Sequence, residues 1–242
     1  MLSYMHKMEE VKLAEFDRSK IKIVVFDVDD TVTRGTLGIK IAVWEDLFKD
    51  EAEKLREARE IYEATGRGDR YNIIAHIIGE SQENCRENPK VVVWANRFEN
   101  ESMTRIRQNG IHTDDLNALA AIRSKLQGPR YLLSATPQMV VENNVHYFES
   151  QYPEIKGMFS GVIGTPMDGG KAGELKKLIA EYGVEPHEVL MVGDGGSDYR
   201  GASGAKTQFV AVIPEGKPDP WPKELFPKIK SIAELPNLLG LD

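Results

Sequence analysis

Cysteine is nearly absent: the 242-residue chain has one, Cys85. A single thiol can neither close an internal disulfide nor furnish a zinc cage, which excludes a small secreted scaffold held by cross-links. Cys85 stands in the polar run SQENCREN with no basic cluster to stabilise a thiolate, so it reads as a bystander. Long apolar runs are lacking too. No uncharged stretch reaches the roughly 20 residues that span a bilayer. The opening MLSYMHKMEEVKLAEFDRSK has no apolar core of a secretion signal. The expectation is a cytoplasmic protein with no membrane partner. Basic charge is in the minority, with 31 Lys and Arg against 38 Asp and Glu for a formal charge of -7. A general nucleic-acid binder needs a basic surface, so that class is excluded. What remains is ordinary for a globular enzyme: 41% hydrophobic residues and enough length for one large domain or two smaller ones.

Ile21 to Phe26 is short, apolar and rich in Ile and Val, the pattern of a buried strand. From Ile41 the period becomes helical, with Ile41, Trp44, Phe48, Ala52, Leu55 and Tyr62 on one face. TGRGD reads as a turn, Tyr71–Ile78 as a helix, and the polar 81–90 stretch with its proline as a loop. Further helices follow from Val91 and from Asp114 or Asp115. After Gly128-Pro129 strands and helices alternate: YLLSAT, then a helix with Pro137 in its first turn, then GGKAGELKKLIAEYGV, VLMVGD and FVAVI. Such alternation predicts an α/β fold with a doubly wound parallel sheet. The helix-only stretch predicts an inserted helical cap over 37–125. The core is then 20–36 plus 126–242, behind an N-terminal extension over 1–19.

In an open parallel sheet, ligands bind beyond the carboxyl ends of the strands. Asp27 and Asp29, Ser134, Lys171, and Asp194 with Asp198 all fall at such ends or on adjacent turns. Each alone is unremarkable: a strand-end hydroxyl, a surface lysine, acids that cap the next helix. Their predicted convergence is what singles them out. A P-loop reading of TPMDGGKAG fails because Ala172 replaces the hydroxyl residue. A dinucleotide reading of GDGGSDYRG fails because Asp198 stands where the third glycine belongs.

VVFDVDDT resembles the first motif of the haloacid dehalogenase superfamily, an apolar strand followed by Asp-x-Asp-x-Thr. YLLS is similar to its second motif, Lys171 in GGKAGEL to its third, and VLMVGDGGSD to its fourth. All four occur in order. The resemblance implies a Mg2+-dependent phosphomonoester hydrolase in which Asp27 is the nucleophile and Asp29 the general acid and base. It implies that Ser134, the Ala135 amide and Lys171 hold phosphate oxygens. Asp27, Asp194 and the Asp29 backbone carbonyl would bind the metal, with Asp198 supporting its waters or Lys171. Within the superfamily a second aspartate favours phosphatases, because a halide leaving group needs no proton. Asp30 reads as a solvated bystander and Thr31 as support for the loop. The partner implied is a small phosphorylated metabolite, bound by a monomer or homodimer. A sugar phosphomutase or phosphotransferase shares every motif, and a non-catalytic phospho-ligand binding protein is the alternative outside enzymes.

Overall fold

A computed structural model describes residues 13–65, 70–164 and 169–241. In chain order the elements are β1 (Ile23–Phe26), five helices α1 (Thr36–Leu47), α2 (Ala52–Thr65), α3 (Arg70–Ile78), α4 (Pro89–Asn109) and α5 (Thr113–Lys125), then β2 (Arg130–Ser134), α6 (Gln138–Gln151), β3 (Gly161–Gly164), α7 (Gly170–Tyr182), β4 (Val189–Gly193), α8 (Gly196–Ala205), β5 (Gln208–Val212), β6 (Lys228–Ile229) and α9 (Leu235–Leu239).

The strands form one parallel sheet in the order β3-β2-β1-β4-β5-β6. The chain winds outward from β1 to β3 and then restarts at β4 on the other side of β1. This is the doubly wound arrangement, and its switch point lies between β1 and β4. The register there pairs Phe26 with Val192, so Asp27 and Asp194 leave the sheet at nearly the same level. β1, β4 and β5 are buried along their whole length, which is why they read as unbroken apolar runs. Ile23, Val25 and Met191 pack against Leu175 and Leu178 of α7 and Ala202 of α8. Each fully buried aliphatic side chain contributes roughly 1.5–3 kcal/mol. That packing fixes the first turns of α7 and α8, where the candidate site lies.

Gly35–Gly110 forms a compact unit of its own, and the rest of the chain forms the other. The inserted unit is helical, built around Phe48, Leu55, Ile74, Ile77 and Val91. Trp44 stacks on Phe98 with ring centroids 4.2 Å apart. The cap expected over 37–125 is therefore too long. α5 belongs with the sheet-bearing unit, where it buries Leu116, Leu119 and Ile122 and packs against a short 3-10 turn at Ile232–Glu234. A purely helical stretch offered no composition change at which to cut it. The single helix read from Ile41 is two, broken by a 3-10 turn at Lys49–Glu51 that lets Phe48 and Leu55 enter one cluster. Pro89 opens α4 rather than closing a loop, with Asn88 accepting from the Lys90 amide at 3.0 Å. Of the expected N-terminal extension, residues 1–12 lie outside the described residues. The part from 13 onward lies along β5, where Asp17 N donates to Gln208 Oε1 at 2.7 Å. The TGRGD turn also lies outside the described residues at 66–69. Among the described residues no helix is long and apolar enough to cross a membrane.

Candidate active site

The loop leaving β1 is tied to β4 by its first residue, whose amide donates to the Val192 carbonyl at 2.8 Å. That residue is Asp27, buried at the switch point. Lys171 stands in the first turn of α7, also buried, and its Nζ lies 2.5 Å from Asp27 Oδ1 and 2.5 Å from Asp198 Oδ1. Asp198 sits in the first turn of α8, and its Oδ2 accepts from the Gly195 amide at 3.0 Å. It thus closes its own helix and binds the lysine at once. Gly193 makes this approach possible: a Cβ there would fall 2.4 Å from the Asp198 carboxylate. Asp194 follows β4, and carboxylate oxygens of Asp27, Asp194 and Asp198 lie within 4.8 Å of one another. The N-terminal ends of α7 and α8 both face this cluster, which favours anionic ligands there.

Three carboxylates face one ammonium, so negative charge is in excess. Burial pushes the Asp27 carboxyl well above the usual range; Lys171 opposes this, while the charges of Asp198 and Asp29 add to it. Burial raises Asp194 to about 7, helped by the charges of Asp198 and Asp30. Burial alone would lower Lys171, yet the charges of Asp27 and Asp198 outweigh it and hold the ammonium protonated. All donors in the cluster are hard carboxylate oxygens with surplus charge, a set that suits Mg2+ and not a thiophilic metal.

The structure brings Asp27, Lys171, Asp194 and Asp198 together. The Asp29 side chain is not part of the three-acid cluster; its Oδ2 accepts from the Thr136 hydroxyl at 3.3 Å. Ser134 ends β2, buried, with its Oγ accepting from the Thr136 amide at 3.1 Å. Ala135, between them, is exposed. Asp30 is no remote bystander: it takes a left-handed backbone (φ 54°), and its charge reaches Asp194. Thr31 is buried beneath the loop.

Sequence reasoning passed over three residues. Thr136 connects the first and second motifs through Asp29 and Ser134; its only signal was a second hydroxyl two positions after Ser134. Arg34 binds Asp115 through two hydrogen bonds of 2.5 and 2.8 Å, although Asp115 read only as one choice for a helix start. No local signal joins residues 81 positions apart. In the inserted unit, two arginines lie over aromatic rings. Arg70 pairs with Glu99 and lies over the Phe98 ring at 5.9 Å, and Arg97 lies over the Trp94 ring at 5.1 Å.

A doubly wound parallel sheet with three carboxylates and a lysine gathered beyond its central strands defines an α/β protein with its candidate site at the switch point. A family model described as haloacid dehalogenase-like hydrolase matches residues 21–206, and the chain belongs to that family. Among curated proteins, Enolase-phosphatase E1 of Aquifex aeolicus (strain VF5) is 29% identical over 108 residues. That match spans 44% of this chain and 46% of the relative, less than half of either. A HAD hydrolase of family IA, variant 3, from Entamoeba histolytica superposes with a TM-score of 0.64 at 16% identity, covering 91% of this chain and 99% of that one. A putative beta-phosphoglucomutase from Thermotoga maritima gives 0.64 at 15% identity with the same coverage. At such identities the likeness is one of fold.

Proposed function

We propose that the protein is a Mg2+-dependent phosphomonoester hydrolase of a small organic phosphate, working through an aspartyl-phosphate. The observation that carries this reading is Lys171 held between Asp27 and Asp198 at 2.5 Å from each, at the level of Asp194. The phosphatase named among the curated relatives supports the same class of chemistry, over under half of each chain.

Asp27 attacks phosphorus in line with the ester oxygen, forming one P–O bond as the ester P–O bond breaks. Asp29, outside the acidic cluster, gives a proton to the departing oxygen, which leaves as the alcohol. Asp29 then takes a proton from water as the water oxygen attacks phosphorus. The bond to Asp27 breaks, inorganic phosphate leaves, and Asp29 is protonated again. The Ser134 hydroxyl, the Ala135 amide and the Lys171 ammonium bind the phosphoryl oxygens where charge accumulates. Asp27, Asp194, Asp198 and the Asp29 backbone carbonyl would hold Mg2+. When bound, Mg2+ offsets the repulsion between carboxylate and phosphate and orients both.

The test is a screen of purified protein with Mg2+ against a broad panel of phosphorylated metabolites and a nitrophenyl phosphate. Release of inorganic phosphate, lost with chelator, is the expected result. Transfer of the phosphoryl group to a sugar hydroxyl would make it a phosphomutase or phosphotransferase. Binding without turnover across the panel would make it a phospho-ligand binding protein.

A further inference from the structure

The loop that carries Asp29 is held from within and from its far end. Within it, the Val28 carbonyl accepts from the amides of Thr31, Val32 and Thr33 at 3.4, 3.0 and 3.0 Å, and from the Thr33 hydroxyl at 3.0 Å. Asp29 and Thr33 form an isolated bridge. At the far end, Arg34 Nε and Nη2 donate to Asp115 Oδ2 and Oδ1 at 2.5 and 2.8 Å. Asp115 is 0% exposed, and its Oδ1 also accepts from the Ala233 amide at 3.0 Å. The phosphoryl chemistry above uses neither Arg34 nor Asp115.

A carboxylate without solvent access is costly to bury unless it is paired and hydrogen-bonded. Here the pairing is a fork against a fork, which fixes orientation as well as distance. Asp115 lies in the first turn of α5, and α5 packs against the Ile232–Glu234 turn that supplies the Ala233 amide. The guanidinium is therefore anchored to the folded body and not to a surface side chain. Arg34 follows Thr33 directly, and Thr33 is bridged to Asp29. A shift of Arg34 passes through one residue to the proposed proton donor. The Thr136 hydroxyl also restrains Asp29, but at 3.3 Å and without a positive charge it is the weaker hold.

We infer that Arg34 and Asp115 are positioning residues whose clasp fixes the 28–34 loop and, through it, the Asp29 carboxylate. This rests on the reading of Asp29 as general acid and base. Proton transfer requires the donor within hydrogen-bond reach of the leaving oxygen. A displacement of about 1 Å costs on the order of 10²-fold in rate.

Arg34→Met alone would strand a buried carboxylate and threaten folding. The double variant Arg34→Met with Asp115→Asn removes the charged fork, while the side-chain oxygen of the introduced asparagine still accepts from the Ala233 amide, so no buried donor is orphaned. Its backbone amide exchange is compared with wild type, alongside kinetics on an alkyl phosphate and a nitrophenyl phosphate and the Mg2+ dependence of turnover. The expected result is faster exchange at Thr31, Val32 and Thr33 with the rest of the sheet unchanged. The alkyl phosphate should lose about 10- to 100-fold in kcat at constant KM. The nitrophenyl phosphate, whose oxygen leaves with little help, should lose much less. Wild-type exchange at those three amides overturns the inference. So do equal losses on both substrates with a weakened Mg2+ response, since the clasp would then serve the metal site. A wild-type protein inert toward both phosphates defeats the phosphatase reading alone, because amide exchange still decides whether the clasp holds the loop.

Discussion

A Cβ added at Gly201 would fall 2.8 Å from the Cβ of Lys171, so α8 rests directly on the turn of α7 that carries the site's lysine. Neither atom can rotate away. Gly201→Ala gains about 1 kcal/mol of helix propensity, but overpacking a close contact costs about 1–3 kcal/mol. The steric term should win. The expected outcome is a lower urea midpoint and a reduced kcat/KM, since α7 must move and Lys171 with it. A variant as active as wild type and more stable would show that the two helices part without cost to the site.

Asp27→Asn and Lys171→Met should both abolish turnover of a nitrophenyl phosphate with Mg2+, yet move stability in opposite directions. An amide at 27 is a poor nucleophile, but its introduction removes one charge from an overcrowded acidic cluster. The metal-free Asn variant should be at least as stable as wild type. Removing Lys171 leaves Asp27 and Asp198 buried without their counter-charge. Breaking a buried pair from one side costs about 3–5 kcal/mol. Thermal melts in chelator check the contrast, and two variants of equal stability would contradict the charge account.

Much of this arrangement was legible in the sequence because it lies at strand ends. Asp27, Ser134 and Asp194 each follow an apolar run, and a parallel sheet gathers the carboxyl ends of its strands whatever joins them. The division at Gly35 and Gly110 was not legible, since α4 and α5 are consecutive helices and only packing assigns them to different units. β3 escaped notice because its four residues, GVIG, begin and end in glycine and are only partly buried. Arg34 with Asp115, and Thr136 with Asp29, are pairings across 81 and 107 residues. Period and composition report local structure and carry no information on such contacts.

The raised pKa of Asp194 sets a pH dependence. Folding lifts this carboxyl from 3.8 to about 7, chiefly by burial and then by the charges of Asp198 and Asp30. The folded state therefore binds its proton more tightly than the unfolded state. Between about pH 4 and 7 the unfolded state releases that proton first, so stability of the metal-free protein falls as pH rises. The loss is complete above about pH 7 and amounts to something on the order of 4 kcal/mol. Asp194→Asn should flatten this slope. Added Mg2+ competes with the proton, so it should raise Tm more at pH 8 than at pH 5. A metal-free Tm that climbs from pH 5 to pH 7 to the same extent in both proteins would refute this assignment.

Thr136 offers a test of the acid and base role that leaves both aspartates in place. Its hydroxyl donates to Asp29 Oδ2 at 3.3 Å, and its amide donates to Ser134 Oγ at 3.1 Å. Thr136→Val keeps the amide and the shape but loses the hydroxyl; Thr136→Ser keeps the hydroxyl and loses only a methyl group. A hydrogen bond to a charged group is worth about 1.5–3 kcal/mol, and 1.4 kcal/mol is a tenfold change in rate. The long 3.3 Å distance places the effect at the lower end. Thr136→Val should therefore lose about tenfold in kcat on an alkyl phosphate while Thr136→Ser stays near wild type. Phosphate binding should survive in both, because the amide to Ser134 is untouched, so the inhibition constant for inorganic phosphate should not move. If Thr136→Ser loses activity and Thr136→Val does not, the methyl group matters and the hydroxyl does not. If phosphate inhibition weakens with kcat, Thr136 supports the Ser134 loop instead of Asp29.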